Sequence, residues 1–287
     1  MAKKHYPVVR SAGLFGAVPV SSGESAAIIQ VDQELSKMNR RLYRQGRYYH
    51  VKIDMEHDNT ATLPKLDVFA LRDDWAVQKA YQMAYSAYRQ NTEDERSMLS
   101  EGQVSRWEDF RVNVGVNGTD IDAAFVDEDL AAIRLNVGSF PLSSVVTTAQ
   151  NEQEFTWRPI PLANQYSILQ EYDLAGNAQG SPDSDTNDGP YANLKNEMDQ
   201  QVLQNLQEDG ALPPYTQNGV NAESPFVKVG TLGGTAGVQK LSTGYFTAPC
   251  GIVIVTGRGQ EWTATDLLCM EVKAGDYKGV HAPSMLE

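Results

Sequence analysis

The chain has 287 residues, of which 41% are hydrophobic and 21% are charged, and this balance excludes a mainly disordered, collagen-like or coiled-coil protein. Its formal net charge of -13 argues against a dedicated nucleic-acid binder, because contacts with phosphate need concentrated positive charge. Two cysteines cannot form a disulfide framework, and no apolar run approaches the roughly 18 residues that a membrane-spanning helix needs. The N-terminus lacks the apolar core of a secretory signal, so we expect a protein made inside its host cell, without secretion by a signal peptide and without a membrane partner.

The first fifty residues form a basic segment in this acidic chain. They contain eight basic and three acidic side chains. Residues 40–49 contain four arginines and three tyrosines, a mixture suited to phosphate contact and base stacking. The alternative is that the basic side chains form ion pairs with carboxylates of the same chain or of other copies. On the first interpretation, the nucleic-acid-binding residues are Lys3, Lys4, Arg10, Lys37, Arg40, Arg41, Arg44 and Arg47.

The hydrophobic pattern divides the chain near residue 47. Residues 1–25 are rich in Gly, Ser and Val and show no sustained period, so we predict that residues 1–47 form a mobile, mildly basic arm. From Tyr48 onward hydrophobic and polar residues alternate, which predicts the first long strand of a domain over residues 48–287. Residues 66–71 predict a second strand.

Two helical insertions are predicted, over about residues 74–110 and 191–208. Hydrophobic residues at spacings of three and four begin the first insertion, and Thr92 with Glu95 has the form of a capping box that starts a second, separate helix there. These hydrophobic residues form a stripe along one helical face that includes Tyr81, Tyr85 and Tyr88. The three tyrosines could stack on a sugar or a base, although this spacing is more typical of core packing.

The rest of the chain is predominantly β-like. Tyr166 to Tyr172 predicts a strand, and residues 226–229, 238–245, 250–256 and 267–272 predict four more at intervals near ten residues. This rhythm is typical of a sandwich or barrel. The glycine cluster over residues 230–237 matches neither a dinucleotide fingerprint nor a P-loop, so we interpret it as a flexible loop between strands.

No arrangement of residues indicates an enzyme, a cofactor site or a firm metal site. Asp183 and Asp185 follow the spacing of a calcium loop, but Asp188 stands where that loop requires glycine, and Leu194 replaces the bidentate glutamate. We therefore predict no enzymatic activity and no metal site, with Asp183, Asp185 and Asp188 as weak metal candidates. The excess of carboxylates suggests one role for a divalent cation, at contacts between subunits.

Three stretches together resemble the coat proteins of small circular Rep-encoding single-stranded DNA viruses. The first is MNRRLYRQGRYY at residues 38–49, a basic and aromatic entry into the first long strand. The second runs from DVFAL at residues 67–71 through WAVQKAY at 75–81 to RWEDFR at 106–111. The third is LSTGYFTAPCGIV at residues 241–253.

This resemblance implies a mainly β fold, a single eight-stranded antiparallel jelly-roll sandwich with the two helical insertions. It implies a structural capsid protein that self-assembles into an icosahedral homo-oligomeric shell, encloses a single-stranded DNA genome and is found in the virion. The sequence departs from such proteins in its weakly basic arm, so electrostatic binding of DNA would be weak per subunit and would depend on many copies acting together.

Two other functions remain open at this point. A head, tail or decoration protein of a tailed bacteriophage would also suit an acidic β-rich chain with glycine-rich loops. A carbohydrate- or ligand-binding β-sandwich would use aromatic stacking groups, for which the candidates are Trp157, Trp262 and the tyrosines Tyr81, Tyr85 and Tyr88.

Overall fold

The structure, a computed structural model, describes residues 8–13, 25–56, 63–99, 108–114, 143–146, 152–157, 165–176, 225–234, 241–258 and 267–287. Its helices are α1 (Val31–Asn39), α2 (Trp75–Met98) and α3 (Ile168–Gly176). Its strands are β1 (Ser11–Gly13), β2 (Ser25–Gln30), β3 (Tyr48–Glu56), β4 (Leu63–Leu71), β5 (Ser144–Val146), β6 (Glu152–Thr156), β7 (Gln165–Ser167), β8 (Phe226–Gly234), β9 (Phe246–Pro249), β10 (Ile252–Arg258), β11 (Leu267–Val272), β12 (Ala274–Gly275) and β13 (Gly279–Val280). The predicted mainly β class is confirmed.

Two four-stranded antiparallel sheets form a β-sandwich. The first sheet has the strand order β1-β11-β3-β9, and the second has the order β2-β10-β4-β8. The hydrophobic residues of β3 alternate with polar ones, so Val51, Ile53 and Met55 are buried while Lys52 and Asp54 lie on the outer face. The inward side chains of both sheets join in one buried cluster, which includes Val68 of the second sheet and Met270 of the first.

A further layer covers the outer face of the second sheet. Ile252 and Ile254 of β10 point away from the first sheet, into a second buried cluster with Phe69, α2 and the segments around Phe110 and Phe155. Because β10 is hydrophobic on both faces, this sheet requires a cover on each side. Beside α2 lies a small sheet in which β6 pairs antiparallel with β5 and parallel with β7.

Helix α2 confirms the start of the first helical insertion but not its division into two helices. Asp74 caps the helix through a 2.8 Å hydrogen bond accepted from the backbone N–H of Val77. The helix is continuous through Thr92, whose hydroxyl donates to the carbonyl of Tyr88 at 2.9 Å, so the predicted capping box is wrong. Residues 108–110 are not helical, and the second insertion at 191–208 lies outside the described residues.

The N-terminal segment differs from the predicted arm wherever it is described. β1 pairs with β11, β2 pairs with β10, and α1 follows directly, so residues 8–13 and 25–47 belong to the sandwich. The short β1 has no hydrophobic period because only three residues pair, which explains why the sequence pattern missed it. The predicted boundary near residue 47 therefore does not separate a mobile arm from the folded domain.

Three other local predictions differ from the structure. The strand predicted from Tyr166 ends at Ser167 and gives way to α3. Gly230 and its neighbours belong to β8, which extends to Gly234, so that part of the glycine cluster is a strand and not a loop. Residues 241–245 form no strand beyond an isolated bridge at Ser242, and β9 begins one residue later.

The chain crosses from the first sheet to the second at Cys250 and Gly251, which both have positive φ angles. A Cβ atom on Gly251 would lie 3.0 Å from the ring of Tyr49 and 3.3 Å from Cβ of Val31, both of which are buried. Glycine therefore fits both the backbone conformation and the available space.

We predict that Gly251→Ala lowers the free energy of unfolding by about 2–3 kcal/mol, because it adds a steric contact to the cost of a left-handed conformation. Gly244 is the matched control, since its φ is +72° and a Cβ there would meet no atom within 4 Å. Gly244→Ala should cost only about 1 kcal/mol. Urea unfolding of both variants measures the difference, and equal losses would contradict the role of the contact with Tyr49.

Candidate nucleic-acid interface

The basic loop, residues 40–47 between α1 and β3, is anchored by buried residues that alternate with exposed arginines. Tyr43 lies in the core between the sheets, where its hydroxyl donates to the carbonyl of Lys278 at 3.0 Å. The buried side chain of Gln45 exchanges two hydrogen bonds with the backbone of Val112, at 3.0 and 2.6 Å. Arg44, between these two anchors, is exposed. The anchors thus fix the backbone and direct the arginine outward.

The C-terminal segment, residues 277–286, places a lysine beside the basic loop. The guanidinium group of Arg47 lies 3.5 Å from the ring centroid of Tyr277 and donates to the carbonyl of Ala282 at 2.8 Å. The ammonium group of Lys278 donates to the carbonyl of Leu42. Partial burial lowers the pKa of Lys278, and repulsion from Arg44, Arg47 and Arg41 lowers it further. Four cationic groups therefore share one small region.

A cleft of about 330 Å³ separates this loop from α2. Four guanidinium groups and four aromatic rings contribute to its walls, together with two carboxylates and part of the C-terminal segment. The charged and aromatic lining residues are Arg44, Arg47, Arg89, Arg96, Glu108, Asp109, Tyr81, Tyr85, Tyr88 and Phe110. The cleft therefore combines positive charge with flat apolar surface, although the chain as a whole is acidic.

Two of the four arginines are already paired within the protein. Arg44 lies 3.2 Å from a carboxylate oxygen of Asp109, and Arg96 pairs with Glu108. This supports, for Arg44, the interpretation of the basic residues as partners of internal carboxylates. Arg89 is exposed and forms no salt bridge within the described part of the chain. Arg89 is thus the guanidinium group of the cleft most available to an anion.

A buried ion pair lies beneath the cleft. Nη1 of Arg111 lies 2.6 Å from Oδ2 of Asp32, in the first turn of α1, and Nη2 donates to the side-chain oxygen of Gln30 at 3.0 Å. Burial raises the pKa of Asp32 although Arg111 opposes the shift. Removing one partner of such a pair would leave an uncompensated buried charge, so the pair fixes the segment around Arg111 against α1.

Asp109 connects this buried pair with the surface of the cleft. Its Oδ2 accepts a hydrogen bond from the backbone N–H of Gln45 at 3.0 Å and lies 3.7 Å from Nη1 of Arg111. Its Oδ1 faces Arg44. Burial raises the pKa of Asp109 to about 6, and the nearby charge of Asp32 adds to the shift against the opposing effects of the hydrogen bond and the arginines.

We predict that Asp109 makes the fold less stable as the pH rises from about 4 to about 6. The pKa of Asp109 is about 6 in the folded protein against an ordinary value of 3.8, so the folded state binds more protons than the unfolded state in this interval. The contribution of the protonated carboxyl group to stability is therefore lost as the group ionises. The wild type should lose roughly 1–3 kcal/mol more than D109N across the interval. Urea unfolding at several pH values measures this, and parallel pH profiles would contradict the shift.

The other predicted binding residues that the structure describes do not line the cleft. Arg40 and Arg41 are exposed at the end of α1, and Lys37 pairs with Glu34 at 2.9 Å. Arg10 lies near Tyr245 on the first sheet. The remaining predicted sites lie outside the described residues; they are Lys3, Lys4, Asp183, Asp185 and Asp188. Of the eight predicted residues, Arg44 and Arg47 line the cleft.

Sequence reasoning missed the contribution of α2 to this site. Arg89 follows Tyr85 by four residues and Arg96 follows Arg89 by seven, so all three lie on one helical face. This spacing could have identified the two arginines as part of the site from the sequence alone. Lys278 had no such signal, because it reaches the basic loop through contacts between residues more than 230 positions apart.

Two of the aromatic residues proposed for sugar binding are core residues and do not form an exposed platform. Trp157 and Tyr81 are buried, with their rings stacked at a centroid distance of 6.4 Å. Tyr85 and Tyr88 are half-buried against the same core. The interpretation of the stripe as core packing is therefore confirmed for Tyr81, and Trp262 lies outside the described residues.

Searches beyond the chain itself identify no relative. No protein-family model, curated protein or solved structure matches the sequence or the fold. Within the described residues, no three or more His, Cys, Asp or Glu side chains come together as a metal site. The same residues include no helix with the length and apolar character needed to span a membrane.

Proposed function

We propose that this chain is a capsid subunit with a single jelly-roll fold, and the strand pairing supports this most directly. In chain order, the eight strands of the two large sheets are β1, β2, β3, β4, β8, β9, β10 and β11. They pair in a nested manner, first with eighth, second with seventh, third with sixth and fourth with fifth. This is the arrangement of a long antiparallel ribbon folded over on itself, as in the jelly rolls of capsids, lectins and cupins.

A fold alone does not define a function, so the interior of the sandwich bears on the choice. The described side chains between the sheets are hydrophobic and closely packed, among them Val51, Val253, Val255 and Met270. A cupin-like enzyme would need polar ligands in that space. The packed interior instead favours a function on the edges and outer faces of the domain.

Exposed hydrophobic residues near the open sheet edges support self-assembly. Val9 beside β1, Val227 in β8 and Tyr245 beside β9 are 49%, 44% and 48% exposed. Among the described residues, β1, β8 and β9 are each an edge strand of their sheet. Unpaired backbone groups beside apolar side chains are suited to contact with another chain. We propose that the contacting chain is a second copy of the same protein, and that many copies form the closed icosahedral shell of the virion.

The cleft supports the second part of the proposal, the packaging of single-stranded DNA. Its arginines and tyrosines are suited to phosphate contact and base stacking, and Lys278, with Arg41 near it, adds positive charge beside the cleft. The DNA contact in this proposal is local, because the rest of the chain is acidic. A sugar-binding function has less support, because Trp157 and Tyr81 are buried.

We predict that the purified chain forms closed isometric particles in negative-stain images and carries nucleic acid, visible in its absorbance ratio at 260 and 280 nm. Val227→Lys should shift it to small species without unfolding it, because a charge at an edge strand opposes pairing. Val227→Thr, which keeps the branched shape, is the matched control and should still assemble. A stable monomer at high concentration would refute the proposal, whereas rings, tubes or trimers would favour the bacteriophage alternative.

We also propose that divalent cations or protonated carboxylates reduce repulsion between the acidic subunits. Chelator or a rise in pH should therefore loosen the particles and shift their sedimentation to smaller species. Restoring calcium or magnesium should reverse the effect of the chelator. Particles that keep their sedimentation under both treatments would exclude this role for cations.

A further inference from the structure

The tyrosines of the cleft are held rigidly by the core beneath them. The rings of Tyr85 and Tyr88 contact the buried Phe110 at centroid distances of 5.6 and 5.3 Å. Both residues are half-buried, and both line the cleft. A ring that is fixed in this way loses little freedom when a flat ligand stacks on it, which favours binding of an aromatic group.

The arginines of the cleft have unequal roles toward a ligand. Arg44 and Arg96 are occupied by Asp109 and Glu108, whereas Arg89 forms no salt bridge among the described residues. Arg47 is held on the opposite wall by its stacking on Tyr277 and its bond to the carbonyl of Ala282, and it forms no salt bridge with any residue that the structure describes. Two guanidinium groups, one on α2 and one on the basic loop, therefore remain for an anion.

We infer that the cleft binds one nucleotide unit, with its phosphate between Arg89 and Arg47 and its base stacked on Tyr85 or Tyr88. The cleft volume of about 330 Å³ is within the range of pockets for small ligands. A neutral sugar would make no use of the arginines, and an acidic peptide would make no use of the tyrosines. This inference rests on the proposed DNA packaging for its choice of nucleic acid, and it deepens that function by assigning the base-stacking residues.

The nucleotide has two sources, a strand of single-stranded DNA or a free nucleotide, and binding assays on the full-length protein separate them. One arm measures fluorescence anisotropy of a labelled oligodeoxythymidine across a series of salt concentrations. The second arm titrates thymidine monophosphate as a competitor. A third arm titrates polyglutamate, which carries charge without bases.

Arg89→Ala should weaken oligonucleotide binding several-fold and reduce the slope of log K against log salt by about one. Lys79→Ala is the matched control, because Lys79 is an exposed cation on the same helix outside the cleft, and it should bind as the wild type does. Tyr85→Leu should weaken binding roughly tenfold, while Tyr85→Phe should retain it. Arg89 is exposed, so its variant tests the site even where a tyrosine variant fails to fold.

Photo-crosslinking with iodouracil-substituted DNA, followed by mass spectrometry, locates the contact directly. Crosslinks at Tyr85 or Tyr88 would support the inference. Crosslinks confined to other residues, equal affinities of the Arg89→Ala and Lys79→Ala variants, or displacement by polyglutamate as effective as that by the monophosphate would each overturn it. Competition by the monophosphate at concentrations similar to those of the oligonucleotide would identify a free nucleotide as the ligand.

The inference and the proposed function fail separately. Particles that form normally while the Arg89→Ala variant binds DNA as tightly as the wild type would refute the nucleotide site and leave the shell intact. A chain that stays monomeric but binds the oligonucleotide through Arg89 and Tyr85 would refute the capsid proposal and leave the site in place.

Discussion

The double-sided hydrophobic character of β10 is the constraint on which the rest of the structure depends. Val253 and Val255 face the first sheet, and Ile252 and Ile254 face the opposite way. A strand of this kind cannot lie at the surface of a two-layer sandwich, because one row of its side chains would remain in water. The sheet therefore needs a third layer, and α2 with the segments around Phe110 and Phe155 provides it. The position of the cleft follows from this cover.

The buried charges beneath the cleft explain how that third layer is fixed to the sandwich. Apolar packing alone would allow α2 and its neighbouring segments to shift, whereas the Arg111–Asp32 pair connects the segment after α2 with the first turn of α1 at a specific geometry. Asp109 extends this connection to the backbone of the basic loop. The basic loop and the segment after α2 are thus held by one polar network, whose carboxylates have raised pKa values because burial disfavours their charged forms.

The sequence predicted well those elements whose signal is local. The strand beginning at Tyr48, the strand ending at Leu71 and the start of α2 near Trp75 all agree with the structure, because period and composition reflect burial within one element. The pair Thr92 and Glu95 led to a wrong prediction, because a capping box is a short local pattern that also occurs inside helices. There the hydroxyl of Thr92 donates to the carbonyl of Tyr88 within the same helix. The nested pairing had no local signal, because β1 and β11 are separated by most of the chain.

The cleft also shows that the net charge of this chain does not describe the charge at a local site. At physiological salt, charges on an exposed surface act over about 8 Å, so the carboxylates on remote faces contribute little to the field inside the cleft. What an anion meets there is Arg89 and Arg47, with Arg44 and Arg96 neutralised by neighbouring carboxylates. A contact of this kind depends on fixed geometry and on aromatic surface, whereas a long cationic arm would act through charge alone. In the proposed function, an acidic subunit would therefore bind nucleic acid at this one defined point, while the carboxylates on its remaining surface would repel phosphate.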